Sequence, residues 1–169
     1  YAHRLLGLAK QTMDIPVVVG GSMPTVVPRV MIENPNIDYL VEGEGEVAFV
    51  ELIAALEKGG DVSKVPNLWY QDNNVTKNTG LVKYLDMDEV PFQKLDFWDD
   101  KHFTKPYDGE LHVTGFFEFS RGCMHRCHYC INRAFQVFQE EAGKVRRNKS
   151  PRRCIDEVSI FMKKEILLL

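Results

Sequence analysis

Three of the chain's four cysteines lie within eight residues and predict a metal centre. Cys123, Cys127 and Cys130 follow the pattern C-x3-C-x2-C, and Cys154 stands apart. A disulfide framework spreads cysteines along a chain to close loops, so this clustering favours metal ligation instead. Thiolates suit soft metals and iron–sulfur clusters. Three thiolates around four irons would leave one iron open to bind a reactant.

A zinc site is the alternative for this cysteine loop, with His125, His128 or Cys154 as the fourth ligand. Zinc sites usually pair two short ligand hairpins, and no second pair stands in the sequence. Cys154 shares a predicted helical face with Val158 and Phe161, which favours core packing for its side chain. The iron–sulfur interpretation is therefore the stronger one.

Two apolar runs upstream predict buried parallel strands that end in glycine-rich loops. Residues 15–19 lead into Gly20-Gly21-Ser22, and residues 37–41 lead into Gly43-Glu44-Gly45. The carboxyl ends of parallel strands form the ligand-binding edge of an open sheet. The second loop also fits G-x-G-x-x-A, but its glutamates would repel a pyrophosphate, whereas they suit a helix N-terminus. A dinucleotide site is not expected here.

Helices between and after these strands predict a parallel α/β unit. A short helix is expected over residues 25–33. An amphipathic helix is expected over residues 47–58, with Val47, Val50, Ile53, Ala54 and Leu56 as its apolar side chains. A small hairpin over residues 68–70 and 75–77 follows.

The second half of the chain predicts a linker, a strand and a last helix. Residues 81–110 are expected to link two domains, and residues 112–120 to form a strand that feeds the cysteine loop. Ser150-Pro151 predicts a helix start. The six Lys and Arg residues between 144 and 153 are interpreted as a solvated face, with a contact to an anionic ligand as the alternative.

The cysteine loop resembles the signature of the radical S-adenosylmethionine (SAM) superfamily, in which an aromatic residue precedes the third cysteine, as Tyr129 does here. This resemblance implies a [4Fe–4S] cluster on Cys123, Cys127 and Cys130, SAM bound beside Tyr129, and reductive cleavage of SAM to a 5′-deoxyadenosyl radical. It implies an electron donor such as a flavodoxin or ferredoxin. The loop would follow the first strand of a partial (β/α) barrel.

Residues 15–56 look like the second half of the cobalamin (B12)-binding domain that precedes many such barrels. This resemblance implies that Gly20, Gly21 and Ser22, with the loop 43–45, contact cobalamin. The upstream D-x-H-x-x-G loop of that family is missing from the sequence. A radical SAM enzyme whose first domain has lost cobalamin therefore remains an alternative, as does a non-catalytic zinc-binding module.

The predicted architecture is a Rossmann-like partial B12 domain (residues 1–80), a linker (81–110) and the first βα unit of a radical SAM barrel (111–169). A start at Tyr1 and an apolar end favour a segment of a longer enzyme that is inactive alone. A net charge of −3 gives no general attraction for nucleic acid. Without an apolar run of membrane-spanning length or a signal peptide, we expect a cytoplasmic protein with a small-molecule or peptide substrate.

Overall fold

The computed structural model describes residues 2–166, and by its internal contacts the chain divides into two units. Of the described residues, the first unit combines 2–84 with 124–145, and the second combines 85–123 with 146–166. The apolar terminal residues 167–169 lie outside the described part. Among the described residues, no helix is long and apolar enough to cross a membrane. The division at 80 and 110 remains a prediction.

A four-stranded sheet with the order β1-β2-β3-β4 organises the first unit. Strand β1 (Val18–Val19) runs parallel to β2 (Tyr39–Val41), as predicted. The predicted hairpin is present as β3 (Leu68–Asp72) and β4 (Val75–Asn78), and β3 joins β2 in antiparallel register. The sheet is therefore mixed rather than wholly parallel.

Four helices precede β3 in the chain. They are α1 (Ala2–Thr12), α2 (Ser22–Val26), α3 (Pro28–Ile32) and α4 (Ala48–Lys58). The single helix predicted over 25–33 is thus divided, because Pro28 has no N–H to continue the bonding of α2. Helix α4 ends as predicted, with Gly59 in the left-handed conformation (φ 62°).

The core of the first unit lies where α4 packs on β2 and β3. Leu52 and Leu68 are fully buried, and Val41 and Ala48 join them in one cluster. Each such leucine contributes about 2 kcal/mol through the apolar area removed from water. Of the apolar side chains predicted for α4, Leu56 packs against this cluster, whereas Val50 is 65% exposed and Ile53 is 38% exposed. The facing strand residues select Ala48 and Leu52 instead.

Helix α5 (Ile131–Phe138), which follows the cysteine loop, also belongs to the first unit and packs against α2. A short 3-10 helix, Glu140–Ala142, follows it. The first unit thus includes residues on both sides of the predicted linker (81–110).

The second unit contains hairpin β5 (Thr104–Tyr107) and β6 (Glu110–Val113), strand pair β7 (Ser120–Arg121) and β8 (Arg147–Asn148), and helix α6 (Pro151–Ile166). The continuous strand predicted over 112–120 is wrong, because β6 ends at Val113 to pair with β5 and only β7 remains before the cysteines. The predicted start of α6 is confirmed: the Arg153 N–H donates to Ser150 Oγ at 3.2 Å.

Two of the six basic residues before and within α6 anchor residues 85–92, whereas Lys144, Arg146 and Arg152 are exposed as predicted. The Arg147 guanidinium donates to the Leu85 carbonyl at 2.8 Å. The Arg153 guanidinium donates to the Val90 carbonyl and lies 3.4 Å from the centroid of the Phe92 ring. For Arg147 and Arg153 the interpretation as a solvated face is therefore wrong, because half-buried cations with backbone and aromatic partners act as structural anchors.

Candidate cofactor edge and cysteine loop

The two glycine-rich loops meet at one edge of the sheet. Because β1 and β2 are parallel, with Val18 opposite Tyr39 and Val19 opposite Leu40, the residues that follow both strands leave at the same side. Gly20-Gly21 follows β1, and residues 43–45 follow β2. We call this side the glycine edge.

A buried threonine bonds the two loops to each other. The Thr25 hydroxyl donates to the Gly21 carbonyl at 2.8 Å, and the Gly43 N–H donates to Thr25 Oγ1 at 2.9 Å. The Thr25 residue is only 3% exposed. One side chain in α2 therefore sets the spacing of the glycine edge.

Gly21 gives a ligand open access to the backbone. Its φ of +95° is one that residues with a Cβ rarely adopt, and no atom lies within 4 Å of the position where a Cβ would stand. Gly20, by comparison, would place a Cβ at an ordinary 3.7 Å from the Val41 carbonyl oxygen. Ser22 is exposed and begins α2. The Gly21 backbone is therefore accessible to a bulky group from the solvent side.

Gly43 has a different environment, although it lies at the same edge. Its φ is +77°, and a Cβ there would stand 2.6 Å from Gln139 Nε2. The protein itself therefore covers the Gly43 face that the sequence assigned to a ligand. Gln139 is only 5% exposed, and its Oε1 accepts a hydrogen bond from the Tyr84 hydroxyl at 2.5 Å.

Residues 44 and 45 form the approach to α4. The Glu44 carbonyl accepts a hydrogen bond from Asn67 Nδ2 at 3.3 Å, and the Gly45 carbonyl accepts one from the Phe49 N–H at 2.9 Å. This arrangement agrees with the helix-start interpretation of the acidic loop.

A buried carboxyl group adjoins the glycine edge at Glu42. The residue is 8% exposed, and Oε2 accepts a hydrogen bond from the Trp69 indole N–H at 2.5 Å. Burial raises the pKa of Glu42, because desolvation disfavours the charged form, and the hydrogen bond from Trp69 opposes this shift. The carboxyl group therefore lies in a more apolar setting than the neighbouring glutamates of the loop.

The cysteine loop leads directly into α5. The Cys130 N–H donates to the Cys127 carbonyl at 3.2 Å, and Cys130 is the residue that caps the helix N-terminus. Asn132 Nδ2 lies 3.6 Å from Cys130 Sγ as a hydrogen-bond donor. A helix N-terminus stabilises negative charge, which suits a thiolate. Tyr129 is 94% exposed, so its ring is accessible to a ligand.

The assignment of Cys123, Cys127 and Cys130 as metal ligands stays a prediction. Within the described residues, no three His, Cys, Asp or Glu side chains come close enough together to hold a metal ion. Cys127 is exposed, whereas Cys123 and Cys130 are partly buried. Thiols do not attract one another, so bonds to the metal itself must draw such ligands together.

Sequence reasoning missed three residues of the glycine edge: Thr25, Glu42 and Gln139. Thr25 lies four residues after Gly21, the spacing of one helical turn, so its bond to the Gly21 carbonyl had a local signal. Gln139 lies 96 positions after Gly43, and nothing in the sequence indicates their contact.

The second unit contains a cavity of about 590 Å³ that the sequence did not predict. Its lining is largely aromatic and includes Phe92, Trp98, Phe103, Phe116, Phe117 and Phe161. Residues 116 and 117 were expected to belong to a strand before the cysteines. They instead pack with α6, where the Phe117 and Phe161 rings meet edge to face at 5.5 Å.

No family model matches the chain, but curated proteins do. It is 34% identical over 134 residues to an anaerobic magnesium-protoporphyrin IX monomethyl ester cyclase of Synechocystis, covering 77% of this chain and 26% of that protein. It is 34% identical over 164 residues to an uncharacterised methyltransferase of Pyrococcus horikoshii, and the match covers 95% of this chain and 33% of that protein. A hopanoid C-3 methylase of Methylococcus capsulatus is 27% identical over 142 residues, covering 79% and 26%. The chain spans about a third or less of these relatives.

Among solved structures, the chain is similar to TsrM of Kitasatospora setae, a radical SAM methyltransferase solved with cobalamin and a [4Fe–4S] cluster. The TM-score is 0.61 at 20% identity, covering 98% of this chain and 32% of that one. A second TsrM structure, with tryptophan and a SAM analogue, has a TM-score of 0.62. At this identity the likeness shows the fold, and it confirms the predicted α/β class.

Proposed function

Because this chain belongs to the family of radical SAM enzymes that carry a cobalamin-binding domain, we propose that it supplies the cluster-binding loop and part of the cobalamin edge of such an enzyme. The reaction would be methyl transfer or related radical chemistry, with a [4Fe–4S] cluster, SAM and cobalamin as cofactors. The chain's relatives include both methyltransferases and cyclases.

The observation that carries this proposal is the cysteine loop within a chain related to these enzymes. Cys123, Cys127 and Cys130 supply three thiols with the C-x3-C-x2-C spacing, and thiolates are the donors that iron–sulfur clusters require. The donor set therefore fits the cluster in its chemistry. These residues would hold three irons, and Tyr129 would lie beside the SAM bound at the fourth.

The glycine edge fits cobalamin on one side. The open space around Gly21 would admit a bulky group to the backbone, with Gly20 and Ser22 on either side. When bound, the cluster supplies the electron for reductive SAM cleavage, and cobalamin supplies a carrier for the methyl group. The protein's own part is to hold both groups and to expose Tyr129 and Gly21 to them. Residues 43–45 would border this pocket.

The proposal includes an electron donor, such as a flavodoxin or ferredoxin, because the reduction requires one. The substrate would be a small molecule or a peptide, and the setting would be the cytoplasm.

A second candidate is a radical SAM enzyme whose first domain has lost cobalamin. The contact between Gln139 and Gly43 favours this second candidate, because Gly43 is one of the glycines that the sequence assigned to cobalamin. Cobalamin binding by the full-length protein distinguishes the two candidates.

The decisive experiment is anaerobic reconstitution of the full-length protein. We expect about four irons and four sulfides per chain, with a brown chromophore. Replacing Cys123, Cys127 or Cys130 with Ala should remove the chromophore. Cys154→Ala is the matched control and should retain it. After addition of SAM and a reductant, the wild type and Cys154→Ala should both produce 5′-deoxyadenosine. The Cys123, Cys127 and Cys130 variants should produce none.

Stoichiometric zinc without sulfide would overturn the proposal and favour the zinc-binding module. Full iron and sulfide content in all three cysteine variants would equally contradict the ligand assignment. An intact cluster with no spectral change on addition of hydroxocobalamin would favour the second candidate.

A further inference from the structure

We propose that Gly43 and Gln139 are positioning residues, whose contact sets the distance between the cysteine loop and the glycine edge. This inference rests on the proposed function, because it concerns how the two cofactor sites are held relative to each other. In this proposal Gly43 packs against the residue that follows α5, and Gly21 is the glycine that contacts the ligand.

Glycine at position 43 lets the Gln139 amide take this place, at a φ of +77° that residues with a Cβ rarely adopt. A Cβ there would stand 2.6 Å from Gln139 Nε2 and 3.5 Å from its Cδ. The Gln139 amide, at the end of a flexible side chain, would then have to shift away from its bond with Tyr84. At Gly21, by contrast, a Cβ would meet nothing within 4 Å. The two glycines of the edge therefore differ in what lies against them: open space at one and a buried amide at the other.

Bonds on both sides hold Gln139 in this place. Its Oε1 accepts from the Tyr84 hydroxyl, and the Tyr84 N–H donates to the Ala142 carbonyl at 3.0 Å. The Gln139 N–H donates to the Phe135 carbonyl at 3.1 Å, at the end of α5. Gln139 is thus bonded to α5 through its backbone and to Tyr84 through its side chain. Tyr84 is the last residue of the 1–84 segment of the first unit.

A rigid element joins this contact to the cysteine loop. Helix α5 begins directly after Cys130 and ends at Phe138, one residue before Gln139. Eight helical residues span about 12 Å. Helix α5 also packs against α2, which contains Thr25. A displacement of Gln139 would therefore be carried along α5 to Cys130, and across to the helix that sets the glycine edge.

Gln139 acts through packing and does not bind a ligand directly. Its Nε2 is buried, and among the described residues it has no hydrogen-bond partner. The enclosing protein atoms leave no space for a ligand atom at this nitrogen. A buried amide N–H without a hydrogen-bond acceptor lowers the stability of the folded state. Shape complementarity with Gly43 is what this side chain provides.

The test uses the full-length protein and four substitutions, Gly43→Ala, Gln139→Ala, Gln139→Met and Gly59→Ala, made singly and in one double variant. Gly43→Ala introduces the clash, and the double variant Gly43→Ala/Gln139→Ala relieves it. Gly59→Ala is the matched control, since Gly59 also has a positive φ (+62°) but no atom within 4 Å of its Cβ position. Gln139→Met keeps the length of the side chain without its amide.

The first readout is hydrogen exchange of residues 131–142, which requires no cofactor. We expect exchange to accelerate about tenfold in Gly43→Ala and in Gln139→Ala. Exchange should stay near the wild-type rate in Gly59→Ala. It should be intermediate in Gln139→Met, which keeps the length of the side chain but loses the bond from Tyr84, and the double variant should recover part of the loss in Gly43→Ala. Equal rates in Gly43→Ala and Gly59→Ala, or an unchanged rate in Gln139→Ala, would overturn the proposed contact.

The second readout is the magnetic interaction between the reduced cluster and cob(II)alamin in the loaded protein, which depends on their distance. We expect this interaction to change in Gly43→Ala and to return towards the wild type in the double variant. An identical signal in all variants would overturn the positioning role. A wild type that binds neither group would instead contradict the proposed function, while the hydrogen-exchange result would still decide the contact.

Discussion

Thr25 Oγ1 accepts a hydrogen bond from the Gly43 N–H at 2.9 Å, and this bond joins the loops that follow two parallel strands. The same hydroxyl donates to the Gly21 carbonyl. A buried hydroxyl that the sequence analysis did not assign to the site thereby sets the spacing between the two glycines of the edge.

Thr25→Val should loosen the glycine edge, because valine keeps the shape of threonine but leaves the Gly43 N–H without an acceptor. We expect a loss of about 1–3 kcal/mol in the free energy of unfolding, and weaker cobalamin binding by the full-length protein. Urea denaturation and spectral titration measure these effects. Thr25→Ser keeps the hydroxyl and is the control. If the valine and serine variants behave alike in both assays, the role of the hydroxyl is refuted.

Gly21→Leu should weaken cobalamin binding about tenfold or more, because the side chain would fill the open space beside the backbone. Iron content should not change, since the cysteines lie elsewhere. Gly21→Ala has the same backbone strain of about 1–3 kcal/mol with little bulk, so it separates strain from crowding. Spectral titration gives the affinity. Wild-type affinity in the leucine variant would rule out this glycine as a contact.

Glu42 should make stability depend on pH. Burial raises the folded-state pKa of Glu42 above the ordinary value of 4.5, so folding favours the neutral form of this carboxyl relative to the unfolded chain. The contribution of Glu42 to stability is therefore fully present below about pH 4.5 and is lost as the pH rises through the raised folded-state pKa. Glu42→Gln keeps the acceptor for Trp69 and should remove this decline.

Urea midpoints of the wild type and Glu42→Gln at pH 4 and pH 7 measure the difference. We expect the glutamine variant to gain stability relative to the wild type at pH 7. A variant that loses stability at pH 7 would show that the charged carboxylate is favoured in the fold, and would contradict the direction of the shift.

Arg153→Met should loosen the linker of the second unit. Arg153 Nε donates to Glu157 Oε1 at 3.2 Å, and the guanidinium covers Phe92 and bonds the Val90 carbonyl. Methionine keeps the apolar stem alone, and we expect a loss of about 1–3 kcal/mol. Thermal unfolding measures it. Arg152→Met is the control, because the Arg152 side chain is 85% exposed. Equal losses in both variants would argue against the anchoring role.

The sequence alone determined the local features of this protein. Apolar runs ending in glycine predicted β1 and β2, Gly59 ended α4, and Ser150-Pro151 started α6, because each depends on neighbours a few residues apart. The cysteine spacing predicted the chemistry of the loop for the same reason, and the relatives confirmed the family. These signals are properties of side chains and backbone within one or two turns.

Only the tertiary structure decided which surfaces these elements share. Helix α4 buries Ala48 and Leu52 rather than Val50 and Ile53, because the facing strands select the side that packs. Gly43 looked equivalent to Gly21, yet Gln139, far along the chain, covers one and leaves the other open. Such differences arise from long-range packing, where the partner of a residue depends on the path of the whole chain and not on its neighbours in sequence.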